Sequence, residues 1–421
     1  MSAIFCTFWR TKSVVRQNKP LKSFVRRFLY FWTDKYPAII LTLNLAFLMN
    51  LQNAVGYHDG LFPPEHIRYE VIINELLAAE QSLARFDQML KNLHNSEILL
   101  TPLRNQEAVL SSRMEGTIST IDEIMELEAT VKEDHETAYQ TDVRSDVIET
   151  FLYQRSLRNA QKGMEAGYEI SDSLIKQIHQ QLLSFGRGAS KSPGAYKTEQ
   201  NFIGDKAGGQ ISYIPIAPEK LQDGMERLFA YLKSDHHPVL IKTALMHLEF
   251  EALHPFKDGN GRIGRMLITL FLWQQQLISA PHFYISGYLE EHKEAYISCM
   301  REVSETGNWE QWCAFFLTAV KEQARQNLEI AEQISGLYED MKLRVSETLA
   351  SKWSMQVLDY IFTYPKFRLP SLYRSAGIPE KSASKFIKKL LDEGLLYLQQ
   401  EAAGRKPALY SFEPLMRLVR V

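Results

Sequence analysis

The run His254-Pro255-Phe256-Lys257-Asp258-Gly259-Asn260-Gly261-Arg262-Ile263-Gly264-Arg265 gathers more reactive residue types than any other stretch of the sequence. Glycines at the mouth of a helix let backbone N–H groups approach an anion, and the helix N-terminus adds partial positive charge. Arg262 and Arg265 lie three apart on the following helical segment, so they share a face and can grip phosphate oxygens in pairs. Asp258 supplies one carboxylate, enough for Mg²⁺ when substrate phosphates complete its shell. His254 is the nearby group whose ordinary pKa suits a general base near neutrality. The spacing Gly259-x-Gly261-x-x-Gly264 also fits the dinucleotide fingerprint, which requires a preceding strand. Ala244, Leu248 and Ala252, at four-residue steps, make the preceding segment a helix and exclude it.

At every defined position this run resembles the Fic-domain signature His-Pro-Phe-x-Asp/Glu-Gly-Asn-Gly-Arg-x-x-Arg. The similarity extends over roughly residues 54–345 and takes in Pro193-Gly194, Gln200 to Gly204 and Tyr213-Ile214-Pro215, with Lys197 where relatives carry Arg. The resemblance implies AMP transfer from ATP to a Ser, Thr or Tyr hydroxyl of a target protein, with loss of pyrophosphate. His254 would be the catalytic base. Asp258, Gly259, Asn260, Gly261, Arg262, Gly264 and Arg265 would hold ATP, with Mg²⁺ on Asp258. The segment Gly209-Gln210-Ile211-Ser212-Tyr213-Ile214 would be a flap that takes the target as an added strand. His292 and Tyr296, with Tyr288, are candidates for the adenine side, where packing serves equally well. Upstream, Ser111 to Gly116 is similar to the family's inhibitory motif Ser/Thr-x-x-x-Glu-Gly/Asn. Ser111 and Glu115 share a helix face, and the resemblance implies that Glu115 pairs with Arg265. The same Glu115 could instead orient a water for AMP removal. A third alternative is a DNA-binding regulator whose core only senses nucleotide.

The elements that must position these residues read as helical almost throughout, a mainly α fold. Ile72, Leu76, Ala79, Leu83 and Phe86 mark a core-facing helix over about 66–92, and further periodic stretches fall at about 105–129, 143–166, 171–183, 219–233, 238–253, 260–275, 289–304 and 308–346. Gly208-Gly209 leading into alternating Gln210 to Ile214 predicts a short hairpin. Trp273, Trp309, Trp312 and Phe316 sit at helical spacing and read as core, as does His247. After Ser351, helical runs at about 354–363, 369–376 and 381–393, then Leu395 to Leu398, a turn at Gly404 to Pro407 and Ala408 to Phe412 predict a winged helix. The expected organisation is an extension over 1–53, a helical region with the inhibitory helix over 54–140, the catalytic core over 141–346 and the winged helix over 347–421.

Charge divides the 421-residue chain unevenly. Residues 1–48 carry +7 and residues 351–421 carry +6, leaving −15 for the middle. Lys381, Lys385, Lys388, Lys389, Arg405 and Lys406 point to DNA, or else a docked protein, as a partner of 351–421. Target proteins, self-modification and a homodimer complete the expected contacts. The apolar run Ala38–Met49 is about 12 residues where a bilayer span needs about 20, so no membrane is expected, and Met49 offers an alternative start that would make 1–48 an upstream extension. Cys6, Cys299 and Cys313 show no metal or disulfide spacing, which fits a cytoplasmic protein.

Overall fold

The structure, a computed structural model, describes residues 51, 53–92, 97–131, 143–204, 210–404 and 406–420. The expectations for residues 1–48, Gly208, Gly209 and Arg405 lie outside the described residues. The chain opens with strand β1 (Val55–Gly56) and helices α1 (Ile73–Lys91), α2 (Glu97–Met114), α3 (Ile121–Val131), α4 (Ser145–Glu165) and α5 (Asp172–Leu182). Strands β2 (Ile203–Gly204) and β3 (Ile211–Ile214) lead to α6 (Pro218–Leu232), α7 (Val239–Leu253), α8 (Asn260–Gln274), α9 (Ser286–Glu291), α10 (Lys293–Thr306) and α11 (Trp309–Leu349). Then come α12 (Ser354–Thr363), β4 (Lys366–Arg368), α13 (Leu369–Ser375), α14 (Glu380–Asp392), β5 (Tyr397–Gln400), β6 (Leu409–Ser411) and α15 (Glu413–Val419).

Helices α7 and α8 pack against each other at the centre, and nearly every residue of both is buried. A helix apolar all round belongs inside a large core, and here it brings the loop 254–259 between two rigid rods. The 41-residue α11 spans about 60 Å at 1.5 Å per residue and lies along α1, α7 and α10 before reaching the C-terminal helices. Trp312, fully buried on α11, donates its indole N–H to the Ala244 carbonyl of α7 at 2.8 Å. Apolar burial is continuous from Val55 to Val419, so the C-terminal elements share the central core.

The stretch expected as one helix over 105–129 is two. Gly116, at φ +83°, takes the left-handed conformation that ends α2. Thr120 and Glu123 then exchange hydrogen bonds, Thr120 N–H to Glu123 Oε2 at 2.8 Å and Glu123 N–H to Thr120 Oγ1 at 3.3 Å, a capping box that starts α3.

The expected hairpin is present, and a third strand joins it. β3 pairs antiparallel with β2, which lies before the glycines, and parallel with β1 on its other side, giving the order β1-β3-β2. In the C-terminal region the helices fall at 354–363, 369–375 and 380–392, and a strand unseen in the sequence, β4, joins the sheet β4-β6-β5. Lys366, Phe367 and Arg368 are all buried there, and a Lys-Phe-Arg triplet does not announce a buried strand.

Trp312→Ala should lower stability by about 3–5 kcal/mol. Leu343→Ala, at an exposed α11 position, should change it by less than about 0.5 kcal/mol. Thermal unfolding midpoints of the two variants check the contrast.

Candidate active site

His254 caps α7 in the left-handed conformation, φ 45° and ψ 61°, and the loop turns from it into α8 through Gly259 at φ +81°. A non-glycine residue rarely adopts that geometry unless its surroundings enforce it, and the enforcing contacts are all present. Asn260 closes the loop on Phe256, accepting its N–H and donating to its carbonyl, both at 2.8 Å. Asn201 donates to the His254 and Phe256 carbonyls at 3.1 and 3.0 Å. The Lys197 backbone N–H reaches Pro255 O at 2.8 Å, and its ammonium donates to Leu253 O at 3.0 Å and Asn201 Oδ1 at 2.8 Å. Burial lowers the Lys197 pKa to about 7.

His179 on α5 is a support that sequence reasoning missed. Its ring stacks on Phe256 with centroids 3.7 Å apart. Nδ1 accepts the Gly194 N–H at 2.8 Å, so the proton sits on Nε2, which donates to Asp258 O at 3.1 Å. The available signal was a histidine in the apolar stripe Ile175, Ile178, Leu182.

The His254 Nδ1–H donates to Glu251 O at 3.3 Å, which leaves Nε2 as the basic atom. Burial, with Lys197 adding to it, lowers the His254 pKa to about 4, so the imidazole is neutral at physiological pH. Asp258 Oδ1 accepts the Gly259 N–H at 2.6 Å and faces Arg262 Nη2 at 3.4 Å. Arg262 is buried, yet its Nε and Nη1 have no hydrogen-bond partner. A buried guanidinium with open donors is costly unless an anion supplies the acceptors. Among the described residues no group of three or more His, Cys, Asp or Glu could enclose a metal. The partly exposed Asp258 carboxylate is a ligand of the type Mg²⁺ takes together with substrate phosphates.

Arg265, almost wholly buried, is held by the end of α2. Its Nε donates to Ser111 Oγ, and its Nη2 to both Ser111 O and Glu115 Oε1, each at 2.8 Å. Burial works to raise the Glu115 pKa, but the Arg265 guanidinium outweighs it and the carboxyl ends below its ordinary value. That carboxylate lies directly on Gly261, where an added Cβ would come within 2.1 Å of Glu115 Oε1. Behind it, Glu251 keeps Oε1 unpartnered, and burial raises its pKa to about 8. It is a neutral acid near neutrality.

Residues 169–272 match the Fic/DOC family, and residues 73–162 match the Fic/DOC family N-terminal region. The chain thus carries a Fic/DOC family domain, preceded by that family's N-terminal region. Over 215 residues it is 26% identical to a probable protein adenylyltransferase of Aquifex aeolicus, covering 50% of this chain and 58% of that protein. To the protein adenylyltransferase Fic of Nematostella vectensis it is 33% identical over 102 residues, 23% of this chain and 22% of that one. The chain thus spans little more than half of one curated relative and under a quarter of the other. A Fic family protein from Desulfovibrio desulfuricans superposes with a TM-score of 0.52 at 17% identity, over 83% of this chain and 98% of that one, a likeness of fold.

Within this Fic/DOC core the expected site residues fall into two sets. Ser111, Glu115, His254, Asp258 to Arg262 and Arg265 surround one site. Gly264 packs behind it, against Glu251 and His247. Gly116 ends α2. Tyr296, expected on the nucleotide side, is buried among His247, Trp312 and Phe315, its hydroxyl 2.8 Å from His247 Nε2, and so packs behind Arg265. His292 stacks on Tyr288 at 4.0 Å. On the flap, Gln210 is exposed, Ile211, Ser212 and Ile214 are half-buried, and Tyr213 is buried with its hydroxyl 3.3 Å from Ser304.

Burial lowers the pKa to about 4 for His179 and His254, and to about 3 for His247 and His282. Below the ordinary value of 6.5 the unfolded chain therefore binds protons that the folded chain refuses, so stability falls as pH drops from about 6.5 toward 4. Glu251 and Glu107, whose pKa burial also raises, work the other way over part of that range, and the four histidines outweigh the two carboxyls. Thermal midpoints at pH 7, 5.5 and 4.5 should fall in that order.

Proposed function

We propose that the chain transfers AMP from ATP to a Ser, Thr or Tyr hydroxyl of a target protein, releasing pyrophosphate, and that Glu115 restrains the reaction through Arg265. The observation that carries this is the open pair of Arg262 donors beside a neutral His254 whose Nε2 is free to take a proton. The target oxygen attacks the α-phosphorus, the bond from that phosphorus to the bridging β-phosphate oxygen breaks, and the hydroxyl proton passes to His254 Nε2. Backbone N–H groups at the start of α8 and the Arg262 guanidinium face the phosphate charge, which suits a reaction governed by positioning and electrostatics. Asp258 would hold Mg²⁺, which when bound neutralises phosphate charge. Arg265 is the natural partner of the γ-phosphate, and while Glu115 occupies it that position carries a competing negative charge.

A partner for residues 347–421 follows from α14. The order helix, strand, helix, helix and two strands over α12 to β6 supports the winged-helix reading. Lys381, Lys385 and Lys388 are exposed on α14, whereas Lys389 turns inward to donate to Thr348 O at 2.9 Å. That face fits the major groove of duplex DNA.

His254→Ala should reduce AMP incorporation from labelled ATP by about 10²–10⁴-fold with the fold retained; activity near the wild-type level would remove His254 as the base. Glu115→Gly should raise ATP affinity and self-labelling by about tenfold or more, the scale of a lost charge-assisted hydrogen bond. An unchanged ATP affinity would end the inhibitory reading. For DNA, the full chain should retard genomic fragments in a mobility-shift assay at low salt and release them steeply as salt rises, and no retardation at low salt would dismiss the α14 face as a DNA surface.

A further inference from the structure

We propose that residues 354–420 form an external clamp on the α2–α3 hairpin, and so set how firmly Glu115 is held on Arg265. This rests on the autoinhibitory reading above and assigns the C-terminal unit a role in it.

The hairpin is gripped from two sides. On its inner side, Glu107 of α2 accepts from Tyr153 of α4 at 2.8 Å and from the Ser286 hydroxyl of α9 at 2.6 Å. Lys293 caps the α2 terminus through Met114 O at 2.7 Å. Its outer side meets the C-terminal unit. Gln106 donates to Val419 O at 3.2 Å, and Gln400 hydrogen-bonds Glu126. Asp122, in the first turn of α3, takes Lys366 at 2.7 Å and Arg420 Nε at 2.8 Å. Lys366 is itself buried, its side chain 7% exposed, against a half-buried Asp122, with a more exposed cation, Arg420, beside them. Despite burial, which works to raise it, these two cations lower the Asp122 pKa to about 2. Around them Asn105, Met125 and Ala129 face Tyr360, Pro365 and Phe367 across a gap with room for about one water.

The outer grip is anchored to the same frame as the inner one. Tyr338 of α11 donates to Asp359 of α12 at 2.5 Å, and Lys389 of α14 caps the end of α11 at Thr348 O. The same α11 lies against α1 and α7 of the core. Ser111 sits on the last turn of α2, Glu115 lies just past its end, and only Gly116 to Thr120 separates them from α3. To leave Arg265, Glu115 must carry that end of the hairpin away from α8, against bodies fixed to one another by α11. Weakening the outer body lowers the cost of that movement without touching any group that faces the nucleotide. The acidic start of α3 against Lys366 and Arg420 is the natural place to weaken it, because removing one partner leaves buried charge uncompensated.

The experiment uses the full chain with Lys366→Glu, Asp122→Asn, Glu115→Gly and each of the first two combined with the third. Readouts are affinity for a non-hydrolysable ATP analogue and self-labelling with AMP. Lys366→Glu and Asp122→Asn should each raise both by roughly threefold or more, within the range of mutations in coupled contacts, and should add nothing in the Glu115→Gly background, where the restraint is already gone. A gain of activity cannot come from misfolding. If Glu115→Gly activates while Lys366→Glu and Asp122→Asn stay at the wild-type level, the clamp is wrong and the autoinhibitory reading stands. If Glu115→Gly itself gives no rise, both fall together.

Discussion

Arg265 is a buried cation that must be paired, and the way this chain pairs it governs the structure around it. Leaving such a guanidinium uncompensated inside a protein costs several kcal/mol, so α2 has to come close enough for Ser111 and Glu115 to supply three acceptors at 2.8 Å. That approach is possible only because Gly261 carries no side chain where the Glu115 carboxylate rests. It also explains the effort spent on holding the end of α2. Arg187 donates to Thr117 Oγ1 at 2.9 Å, Asp146 accepts the Ile118 N–H at 2.9 Å, and Ser119 bonds Thr150 at 2.8 Å. These ties at three consecutive residues fix Glu115 more closely than the isolated helix could.

The two arginines of α8 are treated differently, although they lie three residues apart. Arg265 has its acceptors in the chain itself, while Arg262 keeps Nε and Nη1 open and spends only Nη2 on Asp258 at 3.4 Å. One anion position is thus filled from within and its neighbour stays ready. Protonation states reinforce the division. His254 is neutral because its surroundings disfavour a cation, and Glu251 is neutral because they disfavour an anion. With Glu115 moved away, the charge left at Arg265 would be positive, as the proposed binding of a polyphosphate requires.

The segment 254–265 was legible because its chemistry is contiguous and its glycines have local reasons to be there. The long helices were legible because their apolar residues recur at helical steps. What escaped has in common a dependence on distant chain. His179 reads locally as one more residue in an apolar stripe, and its purpose appears only when Asp258, 79 positions on, comes to its Nε2. β1 pairs with β3 across more than 150 residues, Val55 opposite Tyr213, and two residues of extended chain leave no pattern. The break between α2 and α3 was local and could have been found. Gly116 and the Thr120–Glu123 capping box are both sequence signals, overridden by an apolar periodicity that continues across them.

The small sheet bears on how a target segment could be presented. With β1 on one side and β2 on the other, Tyr213 is paired across both edges, so a strand added along the whole of β3 has nowhere to bond. Among the described residues, β1 pairs with Tyr213 and Ile214 only, so Ile211 and Ser212 have no partner strand on that side, and β2 has none on its outer edge. The base of this sheet and the catalytic loop share one support. Gln200 donates to Pro215 O, just past β3, at 3.0 Å, and its neighbour Asn201 donates to His254 O at 3.1 Å. Two adjacent side chains therefore tie the strand that would receive a target to the residue that would take its proton. A shift of the flap and a shift of the base are then one movement, so the spacing between the two is set by the fold and does not depend on a bound target.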